Sequence, residues 1–197
     1  MKTTFKSLVA ALMCLAISCS KEPMQSPLAA STRTIDNTTA PAKTHFIGER
    51  FGGGIVFYLA DAIGKHGLIA DMVDLPQAKW GNGPYVATGT ETGIGKGKEN
   101  TLKILRAQGQ PINTDSIYAA WECQRSVRSG YTDWYLPSNA ELNQLWIHRE
   151  IVGGFDFIYN YWSSSEDPNL PEYAYVNGGG LGYSKNALLH VRAIRSY

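Results

Sequence analysis

Asp133-Trp134-Tyr135-Leu136-Pro137-Ser138-Asn139-Ala140-Glu141-Leu142-Asn143-Gln144-Leu145-Trp146 is the stretch on which the fold turns. Pro137 keeps Leu136 extended, because its ring disfavours the helical region for the residue before it. Ser138 and Glu141 have the spacing of a capping box: the serine hydroxyl receives the Glu141 amide, and the glutamate carboxylate returns to the Ser138 amide. Leu142, Leu145 and Trp146 follow at helical spacing. Within a few residues an extended segment hands over to a capped helix.

Two more helices are expected upstream. Asn100 to Gln108 is one, with Gly109 as its stop. Asp115 to Arg128 is the other, with Ile117, Ala120, Trp121 and Gln124 on one face and Gly130 after it. Further upstream, Ile55 to Ala60 reads as a strand entered through Gly52-Gly53-Gly54. Gly67 to Asp71 reads as its hairpin partner across a turn at Gly64-Lys65-His66. Residues 74–98 are rich in Gly, Thr and Pro and read as loop. Downstream of Gly153-Gly154 the pattern returns to strands: Tyr161 to Ser165, Tyr173 to Val176, and Leu188 to Arg195. Strands, then helices, then strands predict an α+β fold. No internal repeat is evident.

The chain has 197 residues, enough for one domain with a sizeable core. Its first 19 residues have the build of an export signal. Lys2 and Lys6 precede an apolar run from Leu8 to Ile17, too short to span a bilayer. The run ends in Ala16-Ile17-Ser18-Cys19, which resembles a bacterial lipobox with Ala16 where Leu is usual. Cys19 is therefore the expected lipidation site, and acyl chains on it would anchor the protein to a membrane of the envelope, the outer membrane being expected. The alternative is a peptide cut to release a soluble protein, but no good alternative cleavage site follows. Residues 20–43 are small, polar and dotted with Pro23, Pro27 and Pro41, and predict a flexible tether with a coil span of roughly 25–30 Å. The domain is expected over 44–197.

Cys14 falls in the signal and Cys19 would carry lipid, so Cys123 alone remains in the domain and no disulfide can form within it. The whole chain carries 18 Lys and Arg against 17 Asp and Glu. Five of those bases but only two of the acids precede residue 44, so the domain is slightly acidic. That excludes a globally basic nucleic-acid binder.

Five motifs occur in order: Gly52-Gly53-Gly54-Ile55-Val56-Phe57-Tyr58; Gly67-Leu68-Ile69-Ala70; Asp133-Trp134-Tyr135-Leu136-Pro137-Ser138 with Glu141-Leu142; Tyr161-Trp162-Ser163-Ser164-Ser165-Glu166; and Val191-Arg192-Ala193-Ile194-Arg195. Together they resemble the Lcl C-terminal domain family, across essentially all of 46–197. The resemblance implies a C-type-lectin-like domain with paired N- and C-terminal strands, two to three helices and a long loop region. It would place Ile55–Ala60 beside Leu188–Arg195. The family's type member is a trimeric surface adhesin that binds sulfated polysaccharide. Here the domain is acidic and no collagen-like or heptad stalk precedes it, so neither property is carried over. A fold alone does not prove sugar binding.

Trp134 and Trp162 are candidate platforms for a sugar face, although a Trp before Leu-Pro and a capped helix more simply fills the core. Ser163 to Ser165 lack the Gly-x-Ser-x-Gly elbow of a hydrolase. Glu166-Asp167-Pro168-Asn169 is similar to the Glu-Pro-Asn stretch of calcium-dependent lectins. Glu166, Asp167 and Asn169, with nearby Tyr173, are therefore candidate ligand residues, and calcium is a possible ion. The Trp-Asn-Asp partner motif is absent, however, and a polar turn explains the same residues. Cys123 sits mid-helix without a second thiol, against the paired-thiol chemistry of formylglycine-generating enzymes. His45, His66, His148 and His190 lack metal-ligand spacing. Gly93-Ile94-Gly95-Lys96-Gly97-Lys98 lacks the full phosphate-loop pattern and reads as flexible loop. Arg192 and Arg195 are expected to form ion pairs on the closing strand. No catalytic constellation emerges. The expectation is a non-catalytic binding module for a glycan or a surface protein, or else a structural or assembly lipoprotein without a small ligand.

Overall fold

A computed structural model describes residues 42–83, 85–178, 180 and 182–197. Cys19 and nearly all of the expected tether lie outside these residues. The fold is α+β. Among the described residues no helix is long and apolar enough to cross a membrane.

The main sheet begins with β1 (Arg50–Phe51) and β2 (Gly54–Leu59), paired Arg50 to Ile55 and Phe51 to Gly54. Gly52 and Gly53 between them have φ of 55° and 88°. Two successive positive φ angles define the type I′ turn that two-residue hairpins prefer, and glycine reaches them without strain. β2 then pairs with β3 (Gly67–Ala70). Asp61 fixes the turn between them, its carboxylate accepting the amides of Ile63, Lys65 and His66 at 3.1, 2.9 and 2.8 Å. These bonds, that from Lys65 foremost, hold its pKa down to about 2.

Next come β4 (Leu75–Ala78), α1 (Gly97–Gln108), a 3-10 turn (Thr114–Ser116), α2 (Ala119–Gln124), α3 (Asn139–Ile147) and α4 (Arg149–Val152). β5 (Trp162–Glu166), β6 (Tyr173–Val176) and β7 (Gly182–Ser184) form a three-stranded antiparallel sheet. β8 (Leu189–Val191) pairs with β4, and β9 (Ile194–Ser196) closes the main sheet against β3.

Three expectations need correction here. Ile55–Ala60 and Leu188–Arg195 are not neighbours, because β2 is already flanked by β1 and β3. The stretch 188–195 is also not one strand. It breaks at Arg192-Ala193, where the fully buried Arg192 turns inward. Its Nε donates to Asp74 Oδ1 at 2.6 Å, Nη1 to Asp71 O at 2.9 Å, and Nη2 to Gly154 O at 2.6 Å. The long second helix is likewise a 3-10 turn followed by the short α2, and α4 is an additional helical turn after α3.

The main sheet is buried on both faces, which explains the near-continuous apolar run of β2. Val56 and Ile69 face a core built with Trp80, Ile104, Cys123, Trp134 and Trp162. Ile55, Phe57 and Leu68 face a second core with Leu142 and Leu145 of α3, Phe155 and Tyr161. The α3 capping box forms as the sequence predicts.

Candidate functional site

The site grows from Ser163-Ser164-Ser165-Glu166, a polar run buried throughout β5. A buried polar group needs a partner, and each of these side chains finds one outside its own strand. Ser163 Oγ donates to Tyr175 O at 2.8 Å, Ser164 Oγ to Pro137 O at 3.1 Å, and Ser165 Oγ to Glu91 O at 2.8 Å. Glu166 Oε2 accepts the Thr88 amide at 2.8 Å and the Thr88 hydroxyl at 2.7 Å, while Thr90 Oγ1 accepts the Glu166 amide at 2.8 Å.

Other buried polar groups continue the attachment. Asn100, on the first turn of α1, accepts the Glu91 amide at 2.9 Å and donates to Glu91 O at 2.6 Å. Ser138 Oγ donates to Gly93 O at 2.7 Å, and the Ala140 amide to Thr92 O at 2.9 Å. The fully buried Glu141 takes the Ser138 amide on Oε2 at 2.7 Å and the Gly95 amide on Oε1 at 2.9 Å. Burial pushes the Glu141 carboxyl above its ordinary range although these amides favour the charged form. The segment 88–95, expected to be a loop and flexible at Gly93–Lys98, is therefore pinned at nearly every residue.

On the outer side of this pinned wall lies an open cleft of about 520 Å³, closed on the other side by the Glu166–Pro171 turn. Thr90, Glu91, Thr92, Lys96, Asp167 and Pro168 line it. Glu91 and Lys96 pair across its rim at 3.0 Å. Each holds the other's pKa away from the ordinary value, the acid below and the base above. Both are largely solvated, so the pair opens at little cost when a ligand hydroxyl or charge arrives. Asp167 shapes the turn by accepting the Asn169 amide at 2.9 Å.

The predicted site residues separate accordingly. Glu166 and Asp167 line the cleft. Asn169 is exposed on the same turn and Tyr173 is half-buried at the start of β6, but neither side chain lines the cleft. Trp134 is 1% exposed and Trp162 0%, so neither presents a face to a sugar; both fill the core. The reason is geometric: Trp162 starts a strand buried on both sides and donates from Nε1 to Ala78 O at 2.9 Å. Trp134 Nε1 has no partner among the described residues.

The calcium reading of Glu166 is also overturned. Its Oε1 lies 2.6 Å from Lys185 Nζ, an ammonium standing where a cation would have to sit. That lysine is itself buried, 4.3 Å over the Trp80 ring. Burial raises the Glu166 carboxyl, but Lys185 and Thr88 outweigh it and leave the pKa below the ordinary value. Among the described residues no three His, Cys, Asp or Glu side chains converge on one point. The residues that sequence reasoning missed, Thr88, Thr90, Asn100 and Lys185, carry no local motif. Only the burial of a polar Ser-Ser-Ser-Glu strand hinted that partners had to exist.

Elsewhere, Arg195 forms the expected pair, donating to both oxygens of Asp133 at 2.7 and 3.0 Å. The Cys123 thiol is wholly buried, and burial holds its pKa well up, so it is chemically quiet. No family model and no curated protein matches this chain.

Proposed function

We propose that this protein is a lipid-anchored, non-catalytic binding module of a bacterial cell envelope. In this reading a C-type-lectin-like domain recognises a glycan, or a surface protein, through the cleft between 88–96 and 166–171. The observation that carries the reading is the pre-built wall: the backbone of 88–95 is fixed from behind by Glu166, Ser165, Asn100, Ser138 and Glu141. A wall ordered in advance spares the ordering cost of binding. The cleft volume falls within the range of small-ligand sites. Its lining sets Thr90, Thr92, three carboxylates and one ammonium beside Ala87, Pro168 and Pro171, a mix that suits a ligand carrying hydroxyls on an apolar ring. Among the described residues no cysteine or histidine lines it, and its serine neighbours are committed to the wall. Anchoring through Cys19 is supported by Lys2, Lys6, the apolar run and Ala16-Ile17-Ser18-Cys19.

The test is a glycan array probed with the full chain, with and without calcium. Specific binding that falls at least about tenfold (about 1.4 kcal/mol) in Asp167→Ala or Lys96→Ala, at unchanged circular dichroism, is expected. Absence of binding to every glycan under both conditions overturns the sugar form. A stoichiometric envelope protein whose capture survives both substitutions overturns the cleft as the site.

A further inference from the structure

The opposite end of α3 presents a different chemistry. Ile147 and Ile151 are exposed where α3 and α4 run out. Beside them Phe157-Ile158-Tyr159 forms a turn whose tip, Ile158, is 88% exposed. The Arg149 guanidinium joins the two elements, lying 5.0 Å over the Trp146 ring and 5.6 Å from Phe157. Phe46 is exposed on the segment that leads into the domain. That segment runs against α4, since a Cβ added at Gly48 would stand 2.9 Å from Ile151 Cγ2. Single exposed apolar residues are ordinary, but several gathered at one end of a helix mark a contact surface.

We infer that this patch seats the domain on a lipid bilayer. The inference rests on reading Cys19 as the lipid-bearing residue. Three features favour a bilayer over a second copy of the chain. Its leading turn exposes Phe157, Ile158 and Tyr159 each by more than half, and such side chains enter a soft interface more readily than a flat protein face. Its margin carries Tyr159 and Arg149, side chains with apolar bodies and polar ends that suit the headgroup level. The Arg149 guanidinium makes one hydrogen bond within the described residues, from Nη1 to Trp146 O at 2.7 Å, and so has donors left for a lipid phosphate. Finally, the chain enters beside the turn after β2, where the Thr44 amide donates to Ile63 O, and by Gly48 it has reached Ile151 of the patch. The residues between Cys19 and Ala42 reach at most roughly 75 Å when fully extended, so an anchored domain meets the bilayer constantly and a weak interfacial affinity suffices.

An orientation follows. The cleft wall is fastened to the first turn of α3, at Ser138 and Ala140, and the patch begins at its last turn, at Trp146 and Ile147. α3 rises about 13 Å between them. A domain resting on the patch points its cleft away from the lipid.

The test uses the full chain, processed and carried in phosphatidylethanolamine–phosphatidylglycerol vesicles with brominated acyl chains. Trp80, Trp134 and Trp162 are buried, and Trp121 and Trp146 are each half-buried against a core, but only Trp146 lies beside Arg149 and Phe157 of the patch. Bromine quenching of tryptophan emission is expected. It should vanish in Trp146→Phe, and also in the double variant Ile151→Asp/Ile158→Asp, which stays vesicle-bound through its lipid. Bound protein without quenching, or quenching unchanged in the double variant, overturns the inference and leaves the anchor standing. Dimers that the double variant disperses also overturn it, in favour of a second copy. A mature mass without acyl chains on Cys19, with protein free of the vesicles, overturns the anchor reading and takes this inference with it.

Discussion

Glu141 shows how much one side chain can carry. Its two oxygens each receive a backbone amide, from Ser138 and from Gly95. The capping-box rule treats Gln as an equal substitute at this position. Here Gln offers a single acceptor oxygen and turns an NH₂ toward one of those amides. Glu141→Gln is therefore expected to cost about 1–3 kcal/mol, the price of a buried unpaired donor. Urea denaturation measures it, and an unchanged midpoint would refute the two-oxygen account. Glu166 makes a pH prediction. Its folded pKa lies below the ordinary value, so its contribution is complete above the unfolded value of about 4.3. That contribution is lost as pH falls through the lower, folded value. The melting temperatures of the native protein and of Glu166→Gln should differ by a constant amount from pH 7 to 5, and the gap should narrow below about pH 4. Asp71 and Glu141 are shifted upward and act with the opposite sign, so stability from them rises as pH falls. Only the difference between two variants isolates Glu166.

Among the elements, the 88–95 segment is where reading and structure diverge most. Asn100→Ala removes both bonds to Glu91 and is expected to raise amide hydrogen exchange across 88–93 while leaving α3 protected. Equal protection in the variant would mean the wall does not depend on α1. Gly97→Ala tests the other end, because a Cβ there would lie 2.2 Å from Glu141 Oε2 and 2.8 Å from Leu136 O. With little room to shift, a fall of several degrees in melting temperature is expected. The elements with local signals were legible beforehand. The capped α3, Gly109 after α1, the strand entered through Gly52-Gly53-Gly54 and the Tyr173–Val176 strand all rest on residues within a few positions of one another. β4, β7 and the break at Arg192 were not, since each is decided by distant partners: β4 by β8, β7 by β6, and Arg192 by Asp74 and the Gly154 carbonyl. The cleft was half legible. Glu166 and Asp167 stood out as a polar turn, but the lysine that occupies Glu166 lies nineteen residues away without any pattern linking the two.

For the molecule as a whole, Cys123 offers an internal probe. It lies on α2 within the larger core, wholly buried, with its thiol held protonated. A water-soluble thiol reagent is expected to modify it only as fast as the domain opens, and the rate should rise with urea in step with unfolding. Rapid labelling of the native protein would show that this core is not closed. The same architecture has a kinetic side. Ala70 meets Ile194, and Leu68 meets Ser196, across a stretch of about 125 residues. The central sheet thus has a high contact order, and its last edge is supplied by β9 alone. A polypeptide delivered amino end first can form its hairpin and its capped helix early, yet it stays open along β3 until residue 194 arrives. Folding is then a late, concerted closure, and until that moment the chain remains loose enough to be threaded through a narrow passage.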